Sequence, residues 1–533
     1  MQQPPAAAEP VARWAKVIDQ TRCIGCHACT TACKSENEVP LGVTRTYVKY
    51  ADVGTFPHAR RAFQVTRCNQ CDDAPCTVAC PTSAMYRRPD GIVDFDKSAC
   101  IGCKACIAAC PYDAIFINPE DHAAEKCNFC AHRLDIGLEP ACVTVCPTEA
   151  ILVGDLEDPD SAVGRMVGRD PLTVRRPEKE TRPKLFYKGA HQATLDPLAA
   201  ARPDGGLFMW SEQPAGPHEI GSGHPHSNGR RGANSSAAAV LSYDVSHKAP
   251  WDWRVSLYTL TKAVGAGVYL VLAGLGLTGW LPWDGGAWMR LAPFAGLAAM
   301  AVTGALLVWD LERPSQFHKI FTRPQKRSWL VRGAFIIAGY CGVLSLHAVW
   351  GLVGHAGAAT VARWLAVVGA PLAVMTAVYT AYLFAQAKAR DLWQSSLLPA
   401  HMLLQALVAG AAFLGLWAWS GAPGAGDLEA AADPTGPLGW MLGLGLGAHL
   451  LMTAGELTLT HATAHAALAA REMTRGPVQA SSPADPSGLP PPPGHRRRGP
   501  PTPPRGARKP PPPTALFAHE HAYVQAGQSV PLA

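Results

Sequence analysis

The chain has 533 residues, 17 of them cysteine, and a formal charge of +6. That length holds several domains, and the basic residues fall in short loops and in the tail rather than in one patch interleaved with aromatics, which argues against a nucleic-acid partner. A polar first half precedes long apolar runs between about residues 255 and 460, so the chain reads as half soluble and half membrane.

Residues 1–13 are read as an N-terminal extension. The opening "MQQPPAAAEPVARWAKVIDQ" is short of an apolar core and has no twin arginine, so no secretory signal is expected there. The next segment, 14–190, holds 16 of the cysteines in four groups: Cys23, Cys26, Cys29 and Cys33; Cys68, Cys71, Cys76 and Cys80; Cys100, Cys103, Cys106 and Cys110; Cys127, Cys130, Cys142 and Cys146. In each group three thiolates can wrap a loop round one cubane, while the fourth, placed three residues on and often before proline, opens a helix and reaches another cluster. Structural zinc prefers paired CxxC units with a longer gap, since three cysteines within seven residues crowd one tetrahedral ion. A disulfide framework needs an oxidising compartment and suits CxxCxxC loops badly. Sixteen thiolates make four sets of four, so four 4Fe-4S clusters are the expected count. "GIVDFDKSAC" reads as a short strand running into a cluster loop, and "PYDAIFIN" as a helical turn followed by a strand. Such small units have little apolar core, so much of the folding free energy is expected from metal binding.

Residues 191–250 are rich in Gly, Pro, Ser, Asn and His and read as a flexible linker. A membrane domain is expected over 251–475, with six apolar runs near 255–280, 288–310, 329–353, 362–385, 396–420 and 437–460. Trp280, Trp288, Trp329, Trp364 and Trp440 near their ends suit an interfacial belt. Ionisable residues at membrane depth usually have a function, which singles out Lys262, Asp310 and Glu456. Tyr379 and His401, flanking the loop after the fourth run, suit hydrogen bonding to a quinone head group. The end of the second run, the end of the fourth and the start of the fifth share one face of the membrane, so the quinone site is expected there, centred on Asp310, Tyr379 and His401. Paired histidines also ligate b-type haem, and His347, His401 and His449 keep that alternative open. Residues 476–533 are read as a Pro-rich disordered tail.

Residues 14 to about 190 resemble the four-cluster electron-transfer subunit of the DMSO reductase and polysulfide reductase family of molybdenum enzymes. The segments "SLYTLTKAVGAGVYL", "LVWDLERPSQFHKIFTRPQKRSWLVRGAF" and "YTAYLFAQAKARDLW" resemble the NrfD-like quinone-interacting anchor of the same enzymes, and "FAHEHAYVQAGQSVPLA" resembles that family's ending. The implied fold is an α+β ferredoxin-like domain of two pseudo-symmetric dicluster units fused to an all-α polytopic membrane helix bundle. The resemblance also implies the ligand sets: Cys23, Cys26, Cys29 with Cys146; Cys127, Cys130, Cys142 with Cys33; Cys68, Cys71, Cys76 with Cys110; Cys100, Cys103, Cys106 with Cys80. It implies electron transfer between the quinone or menaquinone pool and a separate molybdopterin-containing catalytic subunit, without haem. A redox-coupled proton-translocating module using Lys262, Asp310 and Glu456 is the rival. The membrane is expected to be the bacterial inner membrane, and Arg313, Lys319, Arg323, Lys326 and Arg327, with Lys388, Arg390, Arg471 and Arg475, against Arg290 and Arg363 opposite, place the clusters on the cytoplasmic side. A relative's habit of export with a signal-bearing partner keeps the periplasmic side open.

Overall fold

The computed structural model describes residues 12–54, 57–201, 239–283, 286–353, 358–475 and 512–532. The β-branched and apolar run Trp14–Asp19 forms the inner strand of a four-stranded sheet. It pairs antiparallel with Ile151–Asp155 and parallel with Leu185–Lys188, which in turn meets Leu172–Thr173. Ile18 opposite Ile151 and the bond from Asp19 N–H to the Ala150 carbonyl (2.8 Å) bring the first cysteine group beside the last. Between them lie two short hairpins, Met85–Arg87 with Val93–Phe95 and Ile115–Ile117 with Ala124–Lys126. Both strands expected from sequence, Val93–Phe95 and Ile115–Ile117, are present.

The expectation of a wholly flexible 191–250 linker needs correction at both ends. Gln192–Leu195 is helical and Ala239–Tyr243 adds an antiparallel strand to Thr46–Val53, which also pairs with Arg60–Arg67. Alternating apolar positions explain this: Ala239 and Leu241 are buried against Ala51 and Val53. The Gly- and His-rich middle of the linker lies outside the described residues. His247 is fixed, bonding to Asp113 and, at 3.3 Å, to Asp244.

Among the described residues, six helices are long and apolar enough to cross a membrane: Trp253–Leu277, Leu291–Trp309, Trp329–Val353, Ala359–Ala385, Leu398–Trp419 and Pro437–Thr458. Asp252 starts the first by accepting from Arg254 N–H (2.8 Å), the usual role of an aspartate N-cap. The first helix is central, with 67% of its apolar window buried, whereas the third and sixth bury 22% and 17%. Phe335, Leu346, Leu352, Leu444 and Leu451 on those outer helices remain exposed, as lipid-facing residues must. At the crossing of the first and fifth helices Gly267 and Gly410 meet backbone to backbone. Trp280, Trp364 and Trp440 are exposed near helix ends and Trp329 is half-buried, but Trp288 is 2% exposed and packs on Tyr269 at 4.9 Å. Its place is the core rather than the interfacial belt, because Tyr269 and His347 offer it an aromatic wall.

The tail is not disordered throughout. Residues 476–511 lie outside the described residues, but Pro512–Ser529 is a helix packed on the first and fifth spanning helices. Gln528 both accepts from Trp251 N–H (2.8 Å) and donates to the Trp251 carbonyl (3.0 Å), and Tyr523 donates to the Leu392 carbonyl (2.9 Å). Proline composition ends near Pro513, and Leu516, Tyr523, Val524 and Ala526 beyond it supply a buried face.

Candidate functional site

The local fold curls each cysteine loop. Gly25 and Gly102 take φ of +70° and +69°, a conformation open to glycine without strain, and the loop then enters a short helix such as Ala28–Glu36 or Ala105–Ala109. Two enclosed spaces are lined by four cysteines each: Cys80, Cys100, Cys103 and Cys106 surround one, and Cys23, Cys26, Cys29 and Cys146 the other. Asn37 Nδ2 donates toward both Cys33 Sγ (3.7 Å) and Cys130 Sγ (3.8 Å), and burial together with the charges of Cys127, Cys142 and Cys130 pushes the Cys33 thiol up to about 12. Cys76 lies within electrostatic reach of Cys68, Cys110 and Cys71. The sixteen thiols thus gather into four sets, and these follow one another: Cys29 feels Cys142, Cys68 feels Cys127, and Cys106 feels Cys76.

The donor set suits iron-sulfur clusters. Backbone N–H groups point at thiol sulfurs, from Gly102 and Ala124 to Cys100 (3.4 and 3.3 Å), Met85 to Cys80 (3.4 Å) and Ala150 to Cys146 (3.2 Å). Buried Arg67 donates to Cys142 Sγ at 2.9 Å, while its Nε and other terminal nitrogen have no partner among the described residues; an anionic group in that set would supply one. Burial raises the Cys142 thiol, but Arg67 and Lys16, whose Nζ is 3.7 Å away, outweigh it and bring it to about 7. A positive charge beside a cluster favours its reduced form, so Lys16→Met should lower the midpoint potential of that site by on the order of tens of millivolts. An anaerobic redox titration followed by paramagnetic resonance measures it, and an unchanged potential would rule out this role for Lys16.

The first and last sets differ in their surroundings. Cys26 is exposed and Cys23 and Cys146 are half-buried, with Ile24 57% exposed beside them. The Cys80, Cys100, Cys103 and Cys106 set rests on the membrane domain. Trp251 Nε1 donates to the Cys103 carbonyl (3.3 Å), Glu312 N–H to the Gly102 carbonyl (3.2 Å) and Ser328 Oγ to the Ala79 carbonyl (2.8 Å). Arg313 donates to the Cys100 carbonyl (3.3 Å), and Lys104 Nζ pairs with Asp310 (3.2 Å) and Glu312 (3.4 Å). Burial pushes Asp310 up to about 6 against the pull of Lys104. Ala79, Ile101 and Ala105 share one apolar core with Trp251, Val255, Tyr258 and Tyr523.

Of the membrane residues singled out from sequence, Lys262 and Tyr379 lie together. Lys262 Nζ donates to Thr380 Oγ1 (2.6 Å) and the Ala377 carbonyl (2.9 Å) and lies 4.7 Å from the centre of the Tyr379 ring. Tyr258 is within electrostatic reach of both Tyr379 and Asp310. His401 and Glu456 face each other instead, His401 Nδ1 being 3.5 Å from Glu456 Oε1 and its Nε2 2.7 Å from His449 Nδ1. Buried Glu520, bonded by Thr259 and Gln405, stands between the two groups, within reach of Lys262 and His401. Axial imidazoles of a haem stand roughly 4 Å apart, two metal–nitrogen bonds of about 2.0 Å, whereas His401 Nε2 and His449 Nδ1 are 2.7 Å apart; His347 packs against Tyr269 and Trp288. Sequence reasoning missed Tyr258, Trp251, Arg67 and Glu520; Tyr258 and Glu520 lie inside the stretches "SLYTLTKAVGAGVYL" and "FAHEHAYVQAGQSVPLA", but nothing in either stretch marks them out.

Comparison with known proteins fits this layout. Residues 14–35 match a family model described as a 4Fe-4S binding domain, residues 60–156 one described as a 4Fe-4S dicluster domain, and residues 242–420 one described as polysulphide reductase, NrfD. A tetrathionate reductase subunit of Salmonella typhimurium is 44% identical over 212 residues, covering 38% of the present sequence and 82% of its own. A polysulfide reductase chain of Wolinella succinogenes is 43% identical over 177 residues, 33% of the present sequence and 93% of its own. The thiosulfate reductase electron transfer subunit PhsB of Salmonella typhi is 49% identical over 178 residues, 33% and 92%.

Proposed function

This protein belongs to the family of iron-sulfur subunits that includes those of tetrathionate reductase and polysulfide reductase, continued here by an NrfD membrane domain, and on that premise we propose that it carries electrons between a quinone or quinol at the membrane and a separate catalytic subunit holding a molybdopterin cofactor. The observation that carries this reading is the succession of neighbouring cysteine groups, from exposed Cys26 to the Cys103 carbonyl held by Trp251. We assign a 4Fe-4S cluster to each set, which when bound takes up and releases one electron at a time. The thiolates fix the spacing, the N–H donors and Arg67 offset negative charge, and the substrate chemistry lies with the partner.

We place the quinone-facing site around Tyr258, which lies within reach of Asp310 and of Tyr379 with Lys262 against its ring, beneath the last cysteine set. Quinol oxidation releases protons as well as electrons, and Asp310, buried and paired to Lys104, is positioned to accept one. The positive loops 313–327 lie on the iron-sulfur side, which supports a cytoplasmic location for the clusters in the inner membrane.

The test is anaerobic purification in detergent, with iron and molybdenum analysis of what co-purifies and quinol added to watch cluster reduction. Iron for four clusters, a molybdenum-bearing partner and quinol-dependent bleaching are expected; clusters that ignore quinol would sink the proposal. Asp310→Asn should slow quinol-driven reduction by about 100-fold, the loss typical of a missing proton acceptor, while iron content and dithionite reduction stay unchanged. Full quinol activity in that variant would remove Asp310 from the site.

A further inference from the structure

We propose that His401, His449 and His519 bind a divalent transition-metal ion of the zinc class, which clasps the C-terminal helix to the fifth and sixth spanning helices. Three imidazoles from three separate helices converge so that one nitrogen of each lies within 4.8 Å of the others. Their rings are close, with centroids 4.7 Å apart for His401 and His449, 5.3 Å for His401 and His519, and 4.9 Å for His449 and His519.

The independent observation is Glu456. It lies two turns beyond His449 on the same helix, its side chain is 10% exposed, and neither carboxylate oxygen has a hydrogen-bond partner among the described residues. Oε1 stands 3.5 Å from His401 Nδ1, on the side of the ring opposite His449. A carboxylate behind the outer nitrogen of an imidazole is the arrangement that orients a metal-ligating histidine and fixes its tautomer. With Nδ1 turned to Glu456, the His401 Nε2 lone pair is left for a ligand.

A proton shared between His401 and His449 explains their 2.7 Å contact but gives no role to His519 or to Glu456, whose carboxylate makes no hydrogen bond among the described residues. An ion held by three nitrogens uses all four residues. Binding opens that contact to about 3.3 Å, the separation of two nitrogens each about 2.0 Å from a tetrahedral ion. Three imidazoles select zinc or a neighbouring borderline cation over calcium or magnesium, which prefer oxygen. The fourth position stays open to water. The clasp also has a structural purpose. The helix that carries His519 buries Glu520 and Gln528 and is not among the helices apolar enough to span, so metal-binding free energy helps to seat it. The proposal does not depend on the quinone reading.

The test uses the full chain, purified anaerobically in detergent with an affinity tag free of histidine, exposed to zinc and then passed over a weak chelating resin. Mass spectrometry should find about one zinc per chain with iron as the internal standard, and the zinc absorption edge should show nitrogen neighbours without sulfur. His519→Ala and, separately, His449→Gln should each lower zinc at least tenfold with iron unchanged. Wild-type protein that retains less than about a tenth of a zinc, zinc bound through sulfur in vacant cysteine sites, or zinc undiminished in both variants would each overturn the proposal. The wild-type measurements decide the matter even if a variant fails to fold.

Discussion

Cys106→Ala is expected to cost about a quarter of the iron and all of the electron exchange with quinol. Cys106 is wholly enclosed in the set that touches the membrane domain, and its nearest charged neighbours are Cys103, Cys80 and Cys100 of that set and Cys76 of the next. On the proposed ligand sets, alanine leaves three thiolates where four are needed, with each of the remaining fifteen cysteines between Cys23 and Cys146 assigned to a cluster. This set is joined to the membrane half through Trp251, Glu312, Arg313 and Lys104. Its loss should therefore isolate the other three, which remain reducible by dithionite. Iron analysis, low-temperature paramagnetic resonance and quinol-driven bleaching read the three effects separately. Quinol-driven bleaching at the wild-type rate would show that electrons enter elsewhere.

Gly267→Val should prevent assembly of the membrane half. A Cβ at residue 267 falls 1.8 Å from the Ala406 carbonyl oxygen, and one at residue 410 falls 2.2 Å from the Gly267 carbonyl carbon. Both obstacles are backbone, so no side-chain rotation relieves them, and the first helix would have to withdraw from the fifth along its most buried face. Close backbone approach through small residues is how membrane helices gain packing without a hydrophobic drive, and losing it belongs with the most destabilising class of substitution, about 4–5 kcal/mol or more. Gly274→Ala is the control, since nothing lies within 4 Å of its added carbon. Yield of monodisperse protein from membranes should collapse for the first variant and hold for the second; equal yields would mean that the helices do not cross there.

Much of this architecture is legible in the sequence. Cysteine spacing is a covalent constraint that survives any packing, and hydropathy over some 20 residues fixes membrane helices because lipid permits few alternatives. What escapes is non-local. The strand Ala239–Tyr243 exists only because Thr46–Val53 offers it an edge, and a Gly-rich surrounding hides it. The stretch after the proline-rich segment is recognisable as a family ending, but its packing on the first and fifth spanning helices is not, so the places of His519 and Glu520 go unseen. Asp310 is visible as a charge at membrane depth, but its partner Lys104 stands 206 positions away inside a cysteine loop. His401, Tyr379 and Asp310 are predicted on one face of the membrane, yet side-chain direction divides them, with Lys262 joining Tyr379 and Glu456 joining His401.

The apolar core shared by the cysteine loop Ile101–Ala109 and the first spanning helix carries a consequence for how the two halves came to be one chain. Two molecules that meet in solution must pay for lost translation before any contact counts, whereas the second binding event of tethered ones is intramolecular. Docking between the halves can then be weak by the standards of separate subunits and still be nearly always made. Substitutions at Ala79, Ile101 or Trp251 that would disperse a two-chain complex are buffered here by covalent linkage, which leaves this contact surface freer to drift than its counterpart in unfused proteins.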